Sequence, residues 1–331
     1  MIRVAVLGAG RIGQIHAANV AANRRAKLVA VADPVAAAAN ALAERLNCEA
    51  STDAAALIAR ADVDAVVIGT PSNTHAQLML LAARAGKAVL CEKPVDNDLA
   101  KADEAVAELA RLNVPVMLAF NRRFDPSNIE LRRAIDAGAI GEVRQVIITS
   151  RDPGLPPRDY VAHSGGIFRD MVIHDFDMAR FLLGEEPVEI YAKASRLVDP
   201  ELVAEFDDYD TLMVIMQTAS GKQCHINCCR EAVYGYDQRF EILGSKGMLM
   251  NDNLRPSTVR RYTADETEAL PPLLNFFLQR YTDAYRNELD AFLKALEDGA
   301  PMPTGPADGR QALRLADAAI ESVRTGRTVR V

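Results

Sequence analysis

The segment Gly8-Ala9-Gly10-Arg11-Ile12-Gly13 constrains this chain more than any other, because it joins a short apolar run, IRVAVL, to a helix-forming stretch. A strand–turn–helix unit with glycines in this spacing suits a dinucleotide. Gly8 permits the tight turn, Gly10 lets backbone approach a pyrophosphate, and Gly13 lets the helix pack close to the strand. The helix N-terminus then presents free N–H groups and partial positive charge to the phosphates. Asp33 ends a second apolar run, KLVAVAD, twenty residues after Gly13. A carboxylate there suits the adenosine ribose hydroxyls and would repel a 2′-phosphate. No arginine directly follows Asp33 to receive one, and Arg24 and Arg25 precede the second strand. The expected cofactor is therefore NAD rather than NADP.

The first 120 residues alternate strand and helix. Strands are expected at IRVAVLG, KLVAVAD, VDAVVIGT, KAVLCEKP and VPVMLAF, and helices over 11–23, 35–46, 73–85 and 97–112. Continuous apolar strands separated by helices imply a parallel sheet covered on both faces. Beyond residue 120 the pattern changes. Strands are expected at 143–150, 187–195, 209–219, 222–233, 237–244 and 257–262, with hairpin turns at Gly221-Lys222 and Gly244–Gly247. Helices are expected over 165–183, 273–297 and 307–325. The fold class is thus an α/β Rossmann domain, residues 1–120, followed by an α+β domain, residues 121–331, with a large, mainly antiparallel open sheet. Its helices are too few to cover both faces, which points to subunit association through the sheet.

A chain of 331 residues, 49% hydrophobic and 25% charged, can bury two cores. The net charge of −7 argues against nucleic acid as a partner. No apolar run spans a membrane, and the opening residues lack signal-peptide features, so a cytoplasmic protein with reduced thiols is expected. Cys224, His225, Cys228 and Cys229 invite a zinc reading. Residues 224, 226 and 228 share one strand face, however, and no second ligand pair has zinc-finger spacing. They read as small core residues, and no metal is expected.

Two segments carry the candidate chemistry. Glu92-Lys93-Pro94 follows the strand KAVLC, at the carboxyl end where such sheets bind ligands. A lysine there can stabilise negative charge on a substrate oxygen as it loses its proton. In GGIFRDMVIHDFDMARFLLGE, taken as one helix, Asp170, His174 and Asp177 fall within a sector of about 60°. Nearly every other face is apolar, so the helix is buried and the stripe needs partners or a cavity. It is either a satisfied buried network or a site. Alcohol oxidation needs a base for the hydroxyl proton, and histidine suits that role.

These residues carry a resemblance. GAGRIGQIHA, VADP, GTPSNTHA, CEKPV, FNRRFDPS, GGIFRDMVIHDFDMARFL and the closing ADGRQALRLADAAIESVRTGRTVRV resemble the glucose–fructose oxidoreductase and inositol dehydrogenase family over essentially the whole chain. The resemblance implies catalytic roles for Lys93, Asp170 and His174. It implies cofactor contacts by Gly8, Gly10, Arg11, Ile12, Gly13, Asp33, Thr70, Pro71, Asn73, His75, Glu92 and Lys93. It further implies Asp152, Asp177 and Tyr281 as substrate residues beside the catalytic three, and a homotetramer formed through the open sheet.

Such a set of hydrogen-bonding groups matches a small neutral polyol. A simple alcohol would leave most of them desolvated and unpaired. Paired carboxylates disfavour hydroxy acids, and no arginine lies in the stripe to bind a carboxylate. Oxidation of myo-inositol to its 2-keto form is the expected reaction, ahead of scyllo-inositol or an aldose such as glucose. A non-catalytic NAD-binding sensor and an NAD-dependent lyase or hydrolase are the readings from other classes.

Overall fold

A computed structural model describes residues 1–331. In chain order the elements begin with β1 (Ile2–Leu7), α1 (Arg11–Ala22), β2 (Ala26–Ala32), α2 (Ala36–Leu46), β3 (Glu49–Ser51) and α3 (Ala54–Ile58). Next come β4 (Ala65–Ile68), α4 (His75–Arg84), β5 (Ala88–Glu92), α5 (Leu99–Leu112), β6 (Val116–Ala119) and α6 (Pro126–Asp136). Then follow β7 (Val143–Arg151), α7 (Arg158–Ser164), α8 (Ile167–Asp170), α9 (Ile173–Leu183), β8 (Pro187–Ser195) and α10 (Pro200–Glu205). The chain ends with β9 (Thr211–Thr218), β10 (Gln223–Cys229), β11 (Asp237–Gly244), β12 (Met248–Asn251), α11 (Phe277–Arg280), α12 (Thr282–Asp298), α13 (Pro306–Thr325) and β13 (Val329–Arg330).

The first unit comprises Met1–Phe124 and Asp283–Leu313. Its six strands are all parallel, in the order β3-β2-β1-β4-β5-β6. The order reverses direction at β1, so β1 and β4 lie side by side at the switch point where such sheets bind ligands. The runs VAVL of β1, AVVI of β4 and VMLA of β6 are wholly buried, as a sheet covered on both faces requires. The helices follow from local chemistry: Asp98 caps α5 by accepting from the Ala100 and Lys101 N–H groups, and Ala102, Ala105 and Leu109 form its buried stripe. The expected boundary at residue 120 holds only for the first strand–helix series. Leu289, Phe292 and Leu293 of α12 belong to the same apolar core as Val4, Val6, Val20 and Leu28, which brings Asp283–Leu313 into the first unit.

The second unit comprises Asp125–Thr282 and Arg314–Val331. Its seven-stranded sheet runs β12-β11-β7-β10-β9-β8-β13. Every neighbouring pair is antiparallel except β7 and β10. Both expected hairpin turns join antiparallel neighbours, β9 to β10 and β11 to β12. Alternation sorts the faces: Leu212, Val214 and Met216 of β9 and Cys224, Ile226 and Cys228 of β10 point into the core, on which α9 packs. On the other face Met213 is 60% and Ile215 54% exposed, so this side of the sheet is open.

Three expectations change. Residues 257–262 are not a strand: only a single bridge joins Arg261 to Ala269, and Val259 and Tyr262 are exposed with no core to bury into. The helix over 273–297 is two pieces, broken at Tyr281. The helix over 165–183 is also two, because the Met171 and Val172 N–H groups both donate to the Ile167 carbonyl, at 3.0 and 2.9 Å. That wide turn inserts a residue into the helical repeat. No helix of the structure is long and apolar enough to cross a membrane.

Candidate active site

The dinucleotide motif folds as its residues dictate. Gly8 has φ +100°, and a Cβ there would stand 2.5 Å from the Gly69 carbonyl oxygen; one on Gly13 would stand 2.0 Å from the Gly8 carbonyl oxygen. Gly10 differs: a Cβ there would meet nothing within 4 Å, so the space before the α1 N-terminus is open. The Asp33 carboxylate, at the end of β2, accepts the Ala9 N–H at 2.8 Å and the Val35 N–H at 2.9 Å. It thereby fixes the glycine turn while remaining half-exposed. Arg11 is exposed and Ile12 half-buried at the first turn of α1. Thr70, Pro71 and Asn73 follow β4, with the Thr70 and Thr74 hydroxyls 2.6 Å apart. An open space at Gly10 over a helix N-terminus, a glycine-rich turn and a half-exposed carboxylate at the end of β2 fit NAD.

Lys93, half-buried, follows β5, and its peptide bond to Pro94 is cis. The residues around it are tied inward. His75 is buried, with Nδ1 2.7 Å from the Pro94 carbonyl oxygen and Nε2 2.9 Å from that of Thr70. Burial lowers its pKa against the opposing pull of the two carbonyls, and the ring braces the loops after β4 and β5. Glu92 is buried too, its Oε1 2.8 Å from His16 Nε2, and the His16 ring meets Tyr285 edge-on at 5.7 Å. Glu288, wholly buried on α12, is held protonated, first by desolvation and second by the charge of Glu92.

The second unit gathers a charged cluster. Asp170 ends α8. Its Oδ1 accepts the Tyr160 hydroxyl at 2.7 Å, and its Oδ2 lies 3.3 and 3.4 Å from the two Arg230 guanidinium nitrogens Nη2 and Nη1. Arg230 is buried, with Asp208 at 4.0 Å. Burial opposes its charge, but Asp170, Asp208 and Asp152 outweigh that and hold the guanidinium above its usual range. Asp208 Oδ1 accepts the Ile167 N–H at 2.8 Å, fixing the start of α8. Only glycine fits beside it: Gly166 has φ +84°, and a Cβ would meet the Asp208 carboxylate at 2.9 Å. The Asp152 backbone joins the end of β7 to the end of β10, its N–H donating to Cys229 and its carbonyl accepting from Ala232.

The expected stripe is carried by two helices rather than one. The wide turn at Ile167–Val172 separates Asp170, on α8, from His174, half-buried at the start of α9. Asp177 is buried 3.4 Å from Arg180, which also binds Glu186 at 2.7 Å. Tyr281 is buried, edge-on to Tyr236 at 6.0 Å and beneath the Arg280 guanidinium at 4.8 Å. Asp152 and Asp170 thus lie in the field of one arginine, whereas Asp177 has an arginine of its own.

No arginine lies in the stripe itself, but Arg230 reaches Asp170 from the end of β10. A signal was available. Positions 224, 226 and 228 alternate inward, and 230 continues that alternation, so a charged residue there had to find buried partners. Tyr160 and Asp208 carried no comparable signal.

Known proteins share the fold and both domains. The NAD-binding Rossmann fold of the oxidoreductase family matches residues 2–120, and the GFO/IDH/MocA C-terminal domain matches residues 129–250. The chain is 52% identical to inositol 2-dehydrogenase of Rhizobium meliloti, over 100% of this chain and 99% of that one. A crystal structure of a myo-inositol dehydrogenase from Corynebacterium glutamicum superposes with a TM-score of 0.96 at 45% identity, covering 100% of this chain and 99% of that one. The scyllo-inositol dehydrogenase of Lactobacillus casei, solved with bound NAD(H) and scyllo-inositol, gives 0.93 at 30% identity, with 100% and 99% covered. With both domains matched and the glycine turn, Asp33 and the second-unit cluster in place, this chain belongs to the GFO/IDH/MocA family of NAD-dependent oxidoreductases.

Proposed function

We propose that this protein oxidises one ring hydroxyl of a neutral polyol, myo-inositol first, to the 2-keto inositol. The observation that carries the reading is the Arg230 cluster. Three carboxylates, Asp152, Asp170 and Asp208, surround one guanidinium. Their excess negative charge disfavours an acidic substrate despite the arginine, while carboxylate oxygens are acceptors that suit a ring carrying many hydroxyls.

In this reading His174 takes the hydroxyl proton, and Lys93 donates a hydrogen bond to the oxygen as negative charge builds on it. Asp170, Asp152, Asp177 and Tyr281 orient the ring. NAD, when bound, accepts the hydride from the carbon. Gly8, Gly10, Arg11, Ile12, Gly13, Asp33, Thr70, Pro71 and Asn73 hold the cofactor, and His75 and Glu92 brace the loops that do so. The relative solved with scyllo-inositol supports that isomer as the second substrate reading. The open face bearing Met213 and Ile215 supports a homotetramer. We place the enzyme in the cytoplasm, in inositol catabolism.

The test is NADH absorbance with NAD and a panel of myo-inositol, scyllo-inositol, glucose, a 2-hydroxy acid and a simple alcohol. The polyols should lead in kcat/KM, and His174→Ala or Lys93→Ala should lower kcat by roughly 10²–10⁴. A hydroxy acid or simple alcohol ahead of every polyol, or near-normal turnover in either variant, would overturn the reading.

A further inference from the structure

Tyr160 lies on α7, in a segment that proline and glycine dominate, DPGLPPRDY, and that nothing in its sequence pattern marks for chemistry. The residue is 47% exposed, yet its hydroxyl turns inward to Asp170 Oδ1 at 2.7 Å. We propose that Tyr160 is a positioning residue for polyol oxidation: its hydroxyl, opposite Arg230, locks the Asp170 carboxylate in one orientation. The inference rests on the proposed role of Asp170 in the reaction.

Three features support it. The two anchors take different oxygens. Tyr160 holds Oδ1 and Arg230 holds Oδ2, so together they fix both the position and the rotation of the carboxylate. The phenol is also a committed donor. Desolvation first, and the adjacent Asp170 charge second, raise its pKa, so it keeps its proton at any working pH and cannot act as the base. The hydrogen bond therefore has one direction, and Asp170 always receives it.

Asp170 itself needs such an anchor. It closes the short helix α8, within the wide turn that runs from Ile167 to Val172. Arg230 holds it at 3.3 and 3.4 Å and shares its guanidinium charge with Asp208 and Asp152. The Tyr160 contact is the shorter, at 2.7 Å. A half-exposed ring with a committed polar tip can be changed at the tip without disturbing the core, which makes the role separable from folding.

The experiment is a double-mutant cycle on the intact protein with NAD and myo-inositol, using Tyr160→Phe, Asp170→Asn and the pair, with Asp170→Ser as a second background should Asp170→Asn fold poorly. Tyr160→Phe should lower kcat roughly tenfold, the scale of one hydrogen bond to a charged group, with KM and the NAD dissociation constant within about twofold of the parent's. In either Asp170 background the same change should have less than about a twofold effect, because the oxygen it serves is gone or altered. A full tenfold loss in both backgrounds, or a Tyr160→Phe enzyme kinetically identical to the parent, would overturn the inference. Native turnover by Asp170→Asn and Asp170→Ser would instead overturn the role of Asp170, and with it the reading beneath.

Discussion

A Cβ on Gly13 would stand 2.0 Å from the carbonyl oxygen of Gly8, closer than any side-chain carbon can approach backbone. Three residues away, a Cβ on Gly10 would meet nothing within 4 Å. The two glycines of one motif thus serve different ends. Gly13 holds α1 against the turn, whereas Gly10 leaves open the space that the cofactor's pyrophosphate needs. Gly13→Ala is expected to lower the melting temperature, because backbone must move to admit the methyl group. Gly10→Ala should melt within about 2 °C of the parent, as surface changes do, and yet lose at least about tenfold in NAD affinity. Thermal unfolding and NAD titration of both variants separate the roles. Equal stability losses, or unimpaired NAD binding by Gly10→Ala, would contradict the division.

Asp33 supports a second test. Its carboxylate anchors the Ala9 and Val35 N–H groups, and on the proposed cofactor reading its charge repels a 2′-phosphate. Native protein should prefer NAD to NADP by at least about tenfold, roughly 1.4 kcal/mol. Asp33→Asn keeps an acceptor oxygen and removes the charge, so the preference should shrink. Asp33→Ala also frees the glycine turn, so its NAD affinity should fall further than that of Asp33→Asn. Steady-state kinetics with both cofactors on all three proteins gives the ratios. Equal use of NAD and NADP by the native enzyme would defeat the electrostatic argument.

The sequence disclosed its parallel sheet because each strand is a continuous apolar run between helices, a pattern that few other arrangements can satisfy. The Gly8–Gly13 turn and Asp33 were legible for the same reason: local geometry alone requires them. Contacts between distant segments were not. The apolar stripe of α12 states that it packs on something, but not that its partner is the core around Val4 and Leu28. The wide turn after Ile167 breaks the 100° arithmetic that put Asp170, His174 and Asp177 on one face. Some signals went unread: Asp125 and Asp199 each cap a helix whose first residue is proline, and such Asp-Pro pairs mark helix starts. Arg230 likewise sat in plain alternation behind Cys228.

Glu288 provides the last test, and its sign follows from burial. The residue is 0% exposed, and neither carboxyl oxygen has a hydrogen-bond partner in the protein. Desolvation, and then the charge of Glu92, raise its pKa well above the usual carboxyl value. The unfolded chain releases this proton near pH 4.3, while the folded chain keeps it. Below that pH both states are protonated and the full stability is present. As pH rises toward the folded pKa, the unfolded state alone gains by ionising, so stability falls by about 1.4 kcal/mol for each pH unit. Glu288→Gln has the shape of the protonated acid and no proton to lose. Its melting temperature should therefore lie near the parent's at pH 5 and exceed it increasingly at pH 6, 7 and 8. Glu288→Met, apolar and of similar size, should show the same widening gap even if its packing shifts the baseline. Thermal unfolding of the three proteins across this range decides the matter: parallel curves would mean that Glu288 ionises as easily in the folded protein as outside it, and that desolvation does not govern the cluster of His16, Glu92 and Glu288 next to Lys93.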